Sequence, residues 1–215
     1  MPLRPRLSAT LLAVAFTGAS HAGPVEDAVV SMQREWETVA YTVPAARRAE
    51  RFEALAARAH AGRGAHPDRA EPLIWEGIVV SSWAGAKGGL GALSLAKQAR
   101  ELYESALKIR PDALDGSALN SLGVLYYKVP AWPIGFGDRD KAQSLLRQAL
   151  TVNPGGIDPN YFYGEFLLEG GRAADAVPFL ERALHAAARP GREVADAGRR
   201  DEAKALLDKA RAQLP

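Results

Sequence analysis

One pattern recurs three times along this chain with identical internal spacing, and it leaves few folds open. A glycine is followed, some way on, by an alanine, a large side chain four residues later, a second alanine three after that, and a breaking position five further. The first copy is Gly77, Ala99, Tyr103, Ala106 and Pro111; the second is Gly123, Ala142, Leu146, Ala149 and Pro154. The third is Gly164, Ala176, Leu180 and Ala183, with Ala188 in the proline's place and Pro190 just beyond. A partial fourth copy, Ala203, Leu207, Ala210 and Pro215, closes the chain. Steps of three and four belong to helices; strands alternate by two. The small residues mark where two helices cross too closely for a side chain, the large one fills the space between repeats, and proline stops the second helix. A single helix pair cannot bury its own apolar face, so neighbouring pairs stack into a continuous core.

These glycine, alanine, large-residue and proline positions resemble the tetratricopeptide repeat, a helix–turn–helix motif of roughly 34 residues. The resemblance covers about residues 68–190; Leu73, Leu119 and Asn160 stand where the motif carries its tryptophan. It implies an all-α, right-handed solenoid of antiparallel helix pairs, about four pairs plus a C-terminal capping helix. The expected organisation is a divergent N-terminal pair over residues 23–66, the repeats over 67–190, and the cap over 191–215. Asp68 and Asp112, each following a proline, are expected to cap helices. Pro178, inside the second helix of the last pair, should produce a mild kink at most, and Gly198 should break the capping helix.

Residues 1–22 read as a cleavable leader. Arg4 and Arg6 precede an apolar stretch centred on Leu11 to Phe16, and Ser20-His21-Ala22 supplies the small residues a signal peptidase needs. The stretch is well short of the ~20 residues that span a bilayer, and no later segment is long and apolar enough to cross one. Cleavage after Ala22 would leave 25 basic and 25 acidic residues, so no positive excess remains to draw nucleic acid or anionic lipid. There is no cysteine, which excludes disulfides, thiolate metal sites, thiol nucleophiles and a lipid-anchored cysteine. A periplasmic or secreted location is the expectation, with no stable membrane insertion after cleavage.

Two repeats depart from the motif at the turn between their helices. Gly164 to Ala176 is 12 residues, whereas Gly77 to Ala99 is 22 and Gly123 to Ala142 is 19. The insertions, residues 83–91 and 129–138, are rich in glycine, proline and aromatics. As neighbours on one edge they should meet, bringing Trp83, Lys87, Trp132 and Phe136 together. Such aromatics either pack into a stiff lid or form a recognition patch. Leu122 to Tyr126, Gly137-Asp138 and Lys141-Ala142 are also similar to exported repeat proteins of the TRAP-transporter T-component type, which implies an alternative role handling a small ligand beside a substrate-binding protein.

The concave face, lined by the first helix of each pair, is expected to carry Ile74, Ile78, Ser81, Asn120, Val124, Tyr127, Lys128, Tyr161, Glu165, Leu168 and Glu169. Its tyrosines, amide and mixed charges suit a protein or peptide partner. Catalytic, metal and cofactor patterns are missing. His60, His66 and His185 lack a second ligand at metal spacing, and Asp138-Arg139-Asp140 lacks the glycine and terminal glutamate of a calcium loop. Gly85 to Gly91 lacks the Gly-Lys-Ser/Thr ending of a phosphate loop, and Glu165 with Glu169 reads as a solvated helix stripe. The expectation is a non-enzymatic, exported scaffold for a partner in the cell envelope, its self-association left open.

Overall fold

A computed structural model describes residues 23–214, so the leader and Pro215 lie outside the described residues. Nine α-helices and one π-helical turn follow one another in the described chain. They are α1 Pro24–Glu37, the π-turn Thr38–Thr42, α2 Ala45–Arg63, α3 Ala70–Lys87, α4 Gly89–Ile109, α5 Ala113–Lys128, α6 Arg139–Val152, α7 Ile157–Glu169, α8 Ala173–His185 and α9 Glu193–Arg211. The helices α3 with α4, α5 with α6, and α7 with α8 form the three antiparallel pairs that the pattern announces.

The small-residue pattern is the packing itself. A Cβ placed on Gly77 would lie 2.6 Å from the Tyr103 ring; on Gly123 it would lie 2.8 Å from Leu146 Cγ, and on Gly164 2.8 Å from Leu180 Cγ. The large residue is therefore received by the glycine of its own pair rather than held between repeats. Its flanking alanines are buried in every copy: Ala99 and Ala106, Ala142 and Ala149, Ala176 and Ala183, and Ala203 with Ala210 around Leu207. At the missing tryptophan position of the last pair, buried Asn160 donates to the carbonyls of Pro154 and Gly156 and accepts from Arg182 Nε at 3.0 Å. That amide ties the turn before α7 to α8.

Several local expectations are corrected. Residues 83–91 form no loop. Helix α3 continues to Lys87, Gly88 and Gly89 turn the chain at φ +62° and +61°, and α4 starts at Gly89, so the insertion lengthens two helices. The reason is that Trp83, Ala84, Ala86 and Lys87 all tolerate helix, and Ala84 finds a buried place. Neither aspartate caps by its side chain: Arg69 holds the α3 cap position, and Asp112 leads into a left-handed turn at Leu114 and Asp115. Helix α8 does run through Pro178, as a mild kink at most allows. Helix α9 is unbroken at Gly198, because that glycine receives the Tyr41 ring at a distance no side chain could share.

The N-terminal segment is also not a closed hairpin. Helix α2 lies along α3, while α1 crosses α3 and packs Val25 and Val29 on Trp75. Residues 129–138 are irregular as expected. They are pinned by Asp138 N–H donating to Tyr126 O at 2.8 Å and Gly137 N–H to Pro130 O at 2.9 Å, and the Asp138 carboxylate caps α6 through the Lys141 amide. No helix of the described residues is long and apolar enough to cross a membrane.

Candidate functional site

The first helices of the three pairs, α3, α5 and α7, lie side by side, and α9 returns across them. Beyond α8 the helix leans on α7 and reaches the π-turn, where the Ala195 amide donates to Glu37 Oε2 at 3.3 Å. The result is a partly enclosed cavity of about 660 Å³ rather than an open trough. Its floor comes from α3 and α5, with Ile78, Ser81, Asn120 and Val124. One wall is the start of α4 with Pro130 and Ile134; the other is Trp36, Tyr41 and the arginines around α9.

Charge organises that second wall. Asp158 on α7 accepts from Arg189 Nη1 at 2.6 Å and from Arg199 Nε at 2.9 Å. Arg189 continues to buried Asp196 at 2.7 Å, and Arg199 to Glu202 at 2.6 Å while lying over the rings of Tyr161 and Phe162. Burial by itself would raise the Asp158 pKa, but Arg199 and Arg189 outweigh it and hold the carboxyl below its ordinary value. Burial pushes the Tyr41 hydroxyl up to about 12, so it stays neutral against α9. The third arginine, Arg192, lies over Trp75 at 5.3 Å. Burial first and Arg189 second hold its pKa below the ordinary value.

Of the residues expected in the groove, Asn120 and Lys128 line the cavity. Asn120 is buried and its Oδ1 has no hydrogen-bond partner among the described residues. Lys128 stands at the rim, paired with Glu165 at 3.1 Å and with Glu169. Burial alone would lower its pKa, yet those two carboxylates raise it. Tyr127 is buried, its hydroxyl donates to Glu165 and its ring meets Phe166 edge-on; burial and then Glu165 raise its pKa well above the ordinary value. Tyr161 is buried beneath Arg199. Ile78, Ser81 and Val124 line the cavity, whereas Ile74 and Leu168 belong to the core.

The loop-edge residues divide. Phe136 packs inward, edge-on to Tyr126 and beneath the Arg100 guanidinium at 4.6 Å. Trp83 is half-buried on α3 with Lys87 Nζ 5.1 Å from its ring centre. Trp132 points outward at 86% exposure, and Ile134 beside it is 70% exposed. The loop rests on α4, where a Cβ on Gly135 would lie 3.4 Å from Leu93, two residues beyond the first inserted segment. Sequence reading missed Trp36, Tyr41, Trp75, Phe162 and the Arg189–Arg192–Arg199 wall. The arginines around Pro190 and Gly198 were the available signal, but nothing local says that they turn back over the groove.

Residues 134–197 match the family model for the tetratricopeptide repeat, which takes in α6, α7, α8 and the start of α9. No curated protein matches the chain in sequence. Among solved structures, a thermophilic TPR protein of Thermus thermophilus superposes with a TM-score of 0.56 at 21% identity, over 88% of this chain and 91% of that one. MamA AMB-1 gives 0.47 at 20% identity over 89% and 98%, and MamA MSR-1 gives 0.45 at 19% over 88% and 94%. The glycine-to-large-residue contacts, the stacked pairs and the structural likeness agree on an all-α helical-repeat solenoid, within which residues 134–197 match the tetratricopeptide repeat.

Proposed function

We propose that the chain is an exported, non-enzymatic scaffold that docks a partner protein in the cell envelope across the mouth of its concave side. Tetratricopeptide-repeat solenoids are interaction folds, which supports protein binding in general. The observation that carries the specific reading is the exposure of Trp132 and Ile134 on a loop whose backbone is pinned at both ends. A large aromatic on a pinned backbone has only two side-chain torsions to lose when covered, and such residues dominate interface energies. Lys128, Glu165 and Glu169 form a polar cluster on α5 and α7 that fits an interface rim, where charge sets register more than affinity.

The test is cross-linking and recovery from the native envelope with wild type, Trp132→Ala combined with Ile134→Ser, and Lys128→Ala. The double variant should lose an envelope partner by at least about tenfold, since an exposed aromatic anchor contributes on the order of 2 kcal/mol. Its thermal midpoint should stay within about 2 °C, because neither side chain is packed. Recovery that is unchanged in the double variant sinks the docking edge. Export is tested separately: the mature chain isolated from a periplasmic fraction should begin at Gly23.

A further inference from the structure

The cavity contains an imbalance that protein docking at its edge does not use. Three arginines line it, and two are saturated: Arg189 by Asp158 and Asp196, Arg199 by Asp158 and Glu202. Arg192 is not. Its side chain is 13% exposed, yet among the described residues its guanidinium donates no hydrogen bond. The nearest acid is Glu37, 3.5 Å from Nε, and the same carboxylate oxygen already accepts the Ala195 amide. The Arg192 Nε–H is buried without a partner, which is costly for a polar donor. Trp75, beneath it, has its own buried indole N–H without a partner, as does the Asn120 Oδ1 on the floor. Away from these groups the surface is apolar, with Ile78, Val124 and Leu93.

We propose that this cavity binds a small monocarboxylate with an apolar body, the carboxylate taken by Arg192 and the body lying between α3, α4 and α5. The volume of about 660 Å³ falls within the roughly 300–1,000 Å³ typical of small-molecule pockets. Charge limits the ligand to a single negative charge. Asp158 and Glu37 flank the site and the other two arginines are held by acids, so only Arg192, itself 3.5 Å from Glu37, has N–H donors to offer, and a dianion would meet repulsion. An extended polypeptide is disfavoured, because α9 and the π-turn close one side and the apolar walls offer little to its backbone. The inference stands apart from the docking edge: it needs Arg192 and the interior, not Trp132.

The probe is decanoate, with decan-1-ol as its neutral counterpart, titrated into the purified protein by calorimetry and by the fluorescence of Trp36 and Trp75 in the cavity wall. Decanoate should bind about tenfold or more tightly than decan-1-ol, as a charge-assisted pair to a desolvated arginine requires. Arg192→Met should remove that preference and leave decan-1-ol within about twofold. Ala92→Phe, at a half-buried cavity position on α4, should exclude both ligands while Trp132→Ala excludes neither. Should Arg192→Met fail to fold by circular dichroism, the wild-type preference and the Ala92→Phe result decide the matter. Equal affinities for the two probes in wild type, no binding of either, or undiminished decanoate binding by folded Arg192→Met or by Ala92→Phe overturns the proposal.

Discussion

Between α5 and α6 the contact is a glycine against a leucine; between the π-turn and α9 it is a glycine against a tyrosine, ringed by charge. Both places use a missing Cβ to let helices meet. They differ in what surrounds the contact. Inside the array, Gly123 and Leu146 are flanked by the buried alanines Ala142 and Ala149, and the whole contact is apolar. At the closure, Gly198 and Tyr41 are flanked by charge: Arg199, itself largely buried, is held by Asp158 and Glu202, and Glu37 faces Arg192. Apolar contacts between consecutive helices give cohesion without needing distant partners. A charged contact between the two ends of the chain is conditional on every member being present.

That contrast can be broken at its stronger side first. Gly123→Val should cost about 3 kcal/mol or more in urea unfolding, since the new side chain meets Leu146 with backbone close behind. Adding Leu146→Ala should cost less than the sum of the two single changes, which would show that the clash is with that side chain. Gly198→Val should cost about 2 kcal/mol, and the damage should stay local. Hydrogen exchange should rise in α1, the π-turn and α9, and remain slow in α3 to α8. Exchange rising throughout would mean that closure and array are one cooperative unit.

Asp158→Asn sharpens the charged side. Its loss should be about 1.5 kcal/mol at pH 7, with two arginines left short of an acceptor. A carboxyl whose folded pKa is depressed stabilises the fold above its unfolded value and loses that contribution as pH falls through the folded one. The gap between wild type and variant should therefore be full at pH 7 and close below about pH 4. A gap that persists at pH 2 would show that shape, not charge, is what Asp158 supplies. The smallest effect belongs to an exposed pair within α9: Lys204→Ala, which breaks the bridge to Asp208, should change stability by no more than about 0.5 kcal/mol.

The array was legible in residue spacing because the determining contacts lie within one helix pair. Gly77 meets Tyr103, Gly123 meets Leu146 and Gly164 meets Leu180, and each large residue sits between two alanines at fixed helical steps. Insertions were legible by counting but not by form. Residues 129–138 carry Pro130, Pro133, Gly135 and Gly137, enough to forbid helix. Residues 83–87 hold no proline, and the chain there stayed helical as long as burial rewarded it. Gly198 shows the same limit in reverse: a glycine inside a helix is a break or a contact depending on what arrives from elsewhere.

The amino-acid sequence by itself determined the pairs, their order and their stacking, since close approach along a helix is written in residue size at local periods. Only the tertiary structure decided that the groove is closed, that Tyr127 and Tyr161 are engaged beneath its surface, and that Arg192 is left short of partners. Those outcomes depend on where α9 lands after the superhelix has turned. That position is a sum of small rotations over every pair, and no short stretch of residues encodes a sum.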